Sequence, residues 1–191
     1  MRACLMKLGG LVFLIACARG ERDASTDTTR LDSAAAATTP DPAATAVIRD
    51  SAGRDLGTLT LSSSNDGIVI TGRLVGLPPG EHGIHVHAVG RCDPPTFESA
   101  GDHWNPTNRQ HGAQNPQGPH LGDVPNVTAG ADSVANVQLS MTSGGSLRLG
   151  ANMVLDTDGS AVVIHSGPDD YRTDPSGGSG ARIACGVVAS P

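Results

Sequence analysis

Beyond about residue 46, short apolar runs rich in β-branched residues alternate with turn residues. The stretches 58–61, 67–75, 82–87, 134–141, 160–165 and 183–188 each read as a strand. Asn65-Asp66-Gly67 is a hairpin signal, and Asp158-Gly159 precedes another strand. No stretch of this region carries a helical period. With 25 glycines in the chain, the pattern predicts an all-β sandwich or barrel. Its core must be aliphatic, because Phe97, Trp104 and Tyr171 are the only aromatic residues there.

Two intervals break the alternation. Residues 88–123 show no periodicity, and an irregular stretch of that length inside a domain is usually functional. It holds Cys92 and three histidines, which points to a loop pinned by a disulfide and a metal. Residues 166–181 form a second irregular stretch between the last two strands.

The chain divides into residues 1–16, 17–45 and 46–191. Arg2 and Lys7 precede an apolar run too short to span a bilayer. It ends in Leu14-Ile15-Ala16-Cys17, which resembles a bacterial lipoprotein signal with Cys17 as the lipidated first residue of the mature chain. An ordinary secretory peptide cut near Ala18 is the alternative, and both imply export. The lipoprotein reading places the protein on a bacterial membrane, on the periplasmic or cell-surface side. Residues 18–45 are rich in Ala, Thr, Asp and Pro, cannot bury enough surface to offset their ordering entropy, and read as a disordered tether with a reach of roughly 30 Å.

Removing the signal removes Cys4, and lipidation would use Cys17. Cys92 and Cys185 remain, a disulfide pair for an exported protein or else two free buried thiols. The chain carries 13 Lys and Arg against 19 Asp and Glu, a net charge of −6, and Lys7 is its only lysine. Such a balance argues against a nucleic-acid partner, which requires a basic face.

The histidines are unevenly spent. Six of the seven lie between His82 and Asp123, and the seventh is His165. His85 and His87 are two residues apart in a strand, so both rings leave one face while Ile84 and Val86 take the other. Neutral imidazole is the commonest protein metal ligand, and His103, His111, His120 and Asp123 follow in the loop.

The motifs G-I-H-V-H, S-A-G-D-H-W-N-P, H-G, H-L-G-D, V-I-H-S-G-P-D-D and G-A-R-I-A-C-G-V occur in this order. Together they resemble the copper/zinc superoxide dismutases, in their exported bacterial form, over 46–189. The resemblance implies an eight-stranded Greek-key β-barrel with long metal-binding and active-site loops. It implies dismutation of superoxide by redox cycling of copper, with one copper and one zinc per subunit. Carried over by position, His85, His87, His103 and His165 are the copper ligands, and His103, His111, His120 and Asp123 the zinc ligands. His103 then bridges the metals. The resemblance makes Asp169 a carboxylate linking a copper-side histidine to a zinc-side one. It places Arg182 beside the open copper position, where it binds the anionic substrate. His82 is expected to pack away from the metals, and Trp104 to pack the loop. Asn126-Val127-Thr128 matches a glycosylation sequon that carries no weight in a bacterial lipoprotein.

The interval between His165 and Arg182 is shorter than in the animal enzymes. It offers Arg172 against Asp169, Asp170 and Asp174, so any steering by this chain falls to Arg182, with Arg109 or Arg172 as further candidates. Family members pair through different faces, which leaves a homodimer as an option. The rivals are a non-catalytic copper buffer or chaperone on the same fold, and a structural β domain with decorative histidines.

Overall fold

The computed structural model describes residues 43–141, 144–148, 150 and 152–190. The expected signal peptide, Cys17 and nearly all of the expected tether lie outside the described residues. The described residues form nine strands: β1 (Ala44–Asp50), β2 (Asp55–Ser64), β3 (Gly67–Val75), β4 (Gly80–His82), β5 (Ile84–His87), β6 (Val127–Ala129), β7 (Val134–Ser140), β8 (Ala161–His165) and β9 (Arg182–Ala189). Their only helical element is a 3₁₀ turn, Glu98–Ala100.

Seven strands pair in the order β5-β8-β9-β1-β2-β3-β7, and β4 pairs with β6, every ladder antiparallel. The β3-to-β4 and β7-to-β8 connections carry the chain across this order, as a Greek key requires. Because β4 continues into β5 and β6 turns into β7, the β4–β6 pair links the two edge strands, and the sheet curls. One side is filled by aliphatic residues such as Ile48, Leu59, Ile70, Leu74, Ile84 and Ile164, all buried.

The all-β expectation holds, with three differences. The stretch 82–87 is broken at Gly83 into β4 and β5, which with β1 and β6 raises the six stretches read as strands to nine. Gly83 donates to Gly167 O and accepts from the His165 N–H, both at 2.8 Å, instead of continuing the β4 ladder. A Cβ there would lie 2.8 Å from the Ser179 Cβ, so the second loop needs glycine at this point. β1 is the second difference: its buried positions are Ala44, Ala46 and Ile48, small residues suited to a central strand but weak as an apolar signal. It begins inside the stretch assigned to the tether. β6, three residues long, is the third.

Register decides what stands on the other face. In the β5–β8 ladder His85 is opposite Val163 and His87 opposite Ala161. In the β8–β9 ladder Val163 is opposite Cys185, and a bulge after Ile164 sets His165 opposite Arg182. Directly paired residues share a face. His85, His87, His165, Cys185 and Arg182 therefore all project from one side of three neighbouring strands.

Candidate metal centre

Among the described residues the outer edge of β5 has no strand partner. The loop from residue 88 covers it instead: Val86 N–H donates to Gly122 O (2.9 Å), Trp104 N–H to Val86 O (2.8 Å) and Ala88 N–H to Asp102 O (2.9 Å). Bridges set His87 against His103 and His85 against Asp123. Pairing the edge satisfies its backbone groups and delivers His103 and Asp123 to the histidine face. Trp104, buried in the core, anchors this crossing. The disulfide Cys92–Cys185 fastens the start of the loop to β9, with Cα atoms 5.7 Å apart.

Four rings converge. One ring nitrogen from each of His85, His87, His103 and His165 lies within 4.8 Å of the others. His87 Nδ1 donates to Gly101 O (2.9 Å) and His165 Nδ1 to Gly180 O (3.2 Å). His85 Nε2 donates to Asp169 Oδ2 (2.9 Å). A carbonyl only accepts, so these contacts fix the tautomers. The remaining nitrogens, His85 Nδ1, His87 Nε2, His103 Nε2 and His165 Nε2, are buried with no hydrogen-bond partner among the described residues. Buried polar atoms are rarely left unsatisfied. Four lone pairs around one space make an imidazole site of the kind that suits copper.

Beside it, Asp123 Oδ1 is ringed by the Nδ1 atoms of His103 (2.8 Å), His111 (3.1 Å) and His120 (3.2 Å). A tetrahedral zinc with bonds of about 2.0–2.1 Å has ligand–ligand edges of about 3.3 Å. The donor set, three imidazoles and one carboxylate, thus fits a closed zinc site. A second grouping within 4.8 Å joins His85, His103, His111 and Asp123. His85 enters by proximity, since its ring lies 4.0 Å from that of His103, but its unpartnered Nδ1 belongs to the first set. His103 faces both groups: Nδ1 toward Asp123, Nε2 toward the other three rings.

Asp169, buried, joins the halves. Its Oδ2 accepts from His85 Nε2 and its Oδ1 from His111 Nε2 (3.0 Å). Burial alone would raise its pKa, but the bonds from His111 and His85 hold it well below the usual carboxylate range. Burial would likewise raise Asp123, and the three histidines outweigh it and keep it ionised. Burial, with neighbouring rings and Arg182, pushes His87 down to about 2 and His165 to about 3. Burial also takes His103 to about 4 despite Asp123. His111 goes the other way, to about 9, because its contacts with Asp123 and Asp169 outweigh burial. Three rings are therefore neutral, as metal ligands must be.

A cleft of about 420 Å³ opens over the first group, lined among others by His103, His165, Arg182, Arg109 and Asp174. Arg182 is half-buried; its Nη1 donates to Phe97 O (2.9 Å) and its Nη2 to Gly101 O (2.8 Å). Arg172 does not line the cleft and instead donates to Gln114 Oε1. Of the two further steering candidates, Arg109 is the one at the cleft.

Residues 56–188 match the family model described as copper/zinc superoxide dismutase. The chain belongs to the copper/zinc superoxide dismutase family. It is 44% identical to superoxide dismutase [Cu-Zn] 1 of Aquifex aeolicus over 139 residues, covering 71% of this chain and 81% of that one. It is 40% identical to superoxide dismutase [Cu-Zn] of Caulobacter vibrioides, covering 76% and 84%. The crystal structure of a point mutant of a SOD-like protein from Bacillus subtilis superposes with a TM-score of 0.73 at 41% identity, covering 76% and 97%. The family's cofactors are copper and zinc, for which the two donor sets are chemically suited.

Within the described residues the structure brings together His85, His87, His103, His111, His120, Asp123, His165 and Asp169, with Arg182 at the cleft. His82 packs apart from the donor sets, as expected, with its ring nitrogens 2.8 Å from His165 O and 2.7 Å from Pro78 O. Sequence reasoning missed Asn126. Far from being an idle sequon, its side chain clasps the backbone of Asp169 from both sides: Oδ1 accepts the Asp169 N–H (2.9 Å) and Nδ2 donates to Asp169 O (3.0 Å). Tyr171 OH accepts the Asn126 N–H (2.9 Å). Nothing in the string N-V-T signals this.

Proposed function

We infer that the chain dismutates superoxide to oxygen and hydrogen peroxide, with copper held by His85, His87, His103 and His165 and zinc by His103, His111, His120 and Asp123. One of each metal per chain satisfies both donor sets. The observation that carries this reading is the four unpartnered imidazole nitrogens beneath a cleft that also presents Arg182. Bound copper supplies the one-electron chemistry, accepting and returning an electron.

The chain's own residues do the rest. Arg182 attracts and orients the anion with an always-charged fork of donors. Gly101 O, Gly180 O and Asp169 hold the rings of His87, His165 and His85 in one orientation, and such outer partners sustain ligand basicity. His103 Nε2 is where the chain can hold a proton for the product, since Nδ1 stays on the Asp123 side and the ring borders the cleft. Over the cycle two superoxides and two protons give one oxygen and one hydrogen peroxide.

Superoxide decay measured by pulse radiolysis on the copper- and zinc-loaded protein tests this. Fast decay that vanishes on copper removal and returns on its addition is expected. Stoichiometric consumption without turnover would leave only a copper-holding protein.

We also propose that Cys17 carries lipid and that residues 18–45 tether the domain to a membrane, on the strength of the L-I-A-C sequence and the composition that follows it. Cys17→Ser should then move the protein from the membrane to the soluble fraction of its host. A wild-type protein already found in the soluble fraction would refute the anchor.

A further inference from the structure

We propose that Phe97 is a positioning residue for Arg182: its side chain, buried in one cluster with Cys185 of the Cys92–Cys185 bridge, fixes the carbonyl that receives one arm of the guanidinium. The proposal rests on the reading of Arg182 as the anion-binding group.

A guanidinium is a rigid planar fork, so two acceptors define where it points. Those of Arg182 are Phe97 O and Gly101 O, at the two ends of the 3₁₀ turn Glu98–Ala100. The ends are anchored differently. Gly101 O also accepts from His87 Nδ1, so that end is tied to the metal side. Phe97 has no comparable tie. Its N–H donates to Asp93 O (3.0 Å) and its carbonyl accepts from Ala100 N–H (3.1 Å), both within the same loop. What attaches it to the sheet is its side chain. Phe97 is 2% exposed, in a cluster with Ala100, Ala161, Val163 and Cys185 against which Cys92 packs. This cluster is separate from the main core.

The backbone shows the same dependence. Phe97 has φ of +56° and ψ of +20°, in the left-handed region. For a bulky side chain that is an outlier, and such residues persist only where their surroundings over-determine them. Burial of the ring is that determinant here. The order of support runs from disulfide to ring, from ring to carbonyl and from carbonyl to guanidinium, without passing through a metal ligand.

The test uses the copper- and zinc-loaded protein with Phe97→Leu, Phe97→Val and Phe97→Ala, each alone and combined with Arg182→Ala. Superoxide turnover, azide affinity by visible titration, and copper and zinc content are measured for all. Leu, which refills most of the space, should stay near wild type. Val and Ala should lose about tenfold in both rate and azide affinity, the low end of what one hydrogen bond to a charged group contributes, and keep both metals. In the Arg182→Ala background the same changes should have no further effect. Equal losses in both backgrounds, loss of copper, or unchanged azide affinity in a folded variant would overturn the proposal. If Ala does not fold, the comparison of Val with Leu decides. If Arg182→Ala alone leaves rate and azide affinity intact, the reading of Arg182 falls, and this proposal with it.

Discussion

His165 and Arg182 stand opposite each other on β8 and β9 because the ladder skips a residue just after Ile164. In continuous register His165 would face Ile183. The bulge lets Ile183 turn to the main core, against which it packs, and brings a cation to the histidine face instead. A single extra residue re-aims a side chain in this way at the cost of one ladder position.

Arg182→Ala should therefore keep the fold and both metals but lower kcat/KM for superoxide by about 10- to 100-fold, the range for losing hydrogen bonds to a charged group. Arg182→Lys should recover part of the loss, as a charge without the fork. Pulse radiolysis at two ionic strengths checks it: the Ala variant should also respond less to salt.

The two donor sets should separate on mutation. His165→Ala is expected to abolish turnover and weaken copper while zinc content and fold survive. Asp123→Ala should instead weaken zinc and loosen the loop around 88–123, seen as faster amide exchange there. Full activity in the first variant, or unchanged zinc affinity in the second, would disprove the corresponding assignment.

Asp169→Asn should weaken zinc by about 10- to 100-fold, the usual cost of losing an outer partner. Asn126→Ala, which releases the clasp on the Asp169 backbone, should shift zinc affinity in the same direction by less. Metal competition titrations report both.

Stability of the metal-free protein should fall as the solution is acidified below about pH 6.5. Burial keeps His87, His103 and His165 at about 2, 4 and 3, whereas the unfolded chain protonates them near 6.5. The unfolded state then binds more protons, so stability drops from about 6.5 downward. Asp123 and Asp169, both depressed, add a further loss below about 4. His111, raised to about 9, acts oppositely: its contribution is complete below 6.5 and is lost as pH rises through 9. A urea midpoint at pH 5 equal to or above that at pH 7 would contradict the expectation.

Replacing Cys92 and Cys185 together by Ser should cost about 2–5 kcal/mol of stability, measured by denaturant titration, because the bridge joins residues 93 apart in sequence.

Much of this protein was legible in its sequence. Strand alternation is a local signal of period two, so 67–75 was placed residue for residue and 134–141 within one position. The same period put His85 and His87 on one face. Ligand chemistry was legible too, since imidazole and carboxylate announce themselves as residue types. What only the tertiary structure decided depends on groups without residue identity or on distant contacts. The acceptors that orient His87, His165 and Arg182 are backbone carbonyls of Gly101, Gly180 and Phe97, which any residue would supply. The break at Gly83 is imposed by the segment near Ser179, far along the chain. The bulge after Ile164, the clasp of Asn126 on Asp169 and the choice of Arg109 over Arg172 at the cleft all arise where separate loops meet. Side-chain type and spacing determined which atoms could bind metal; the packing of two loops over one sheet edge determined where those atoms point.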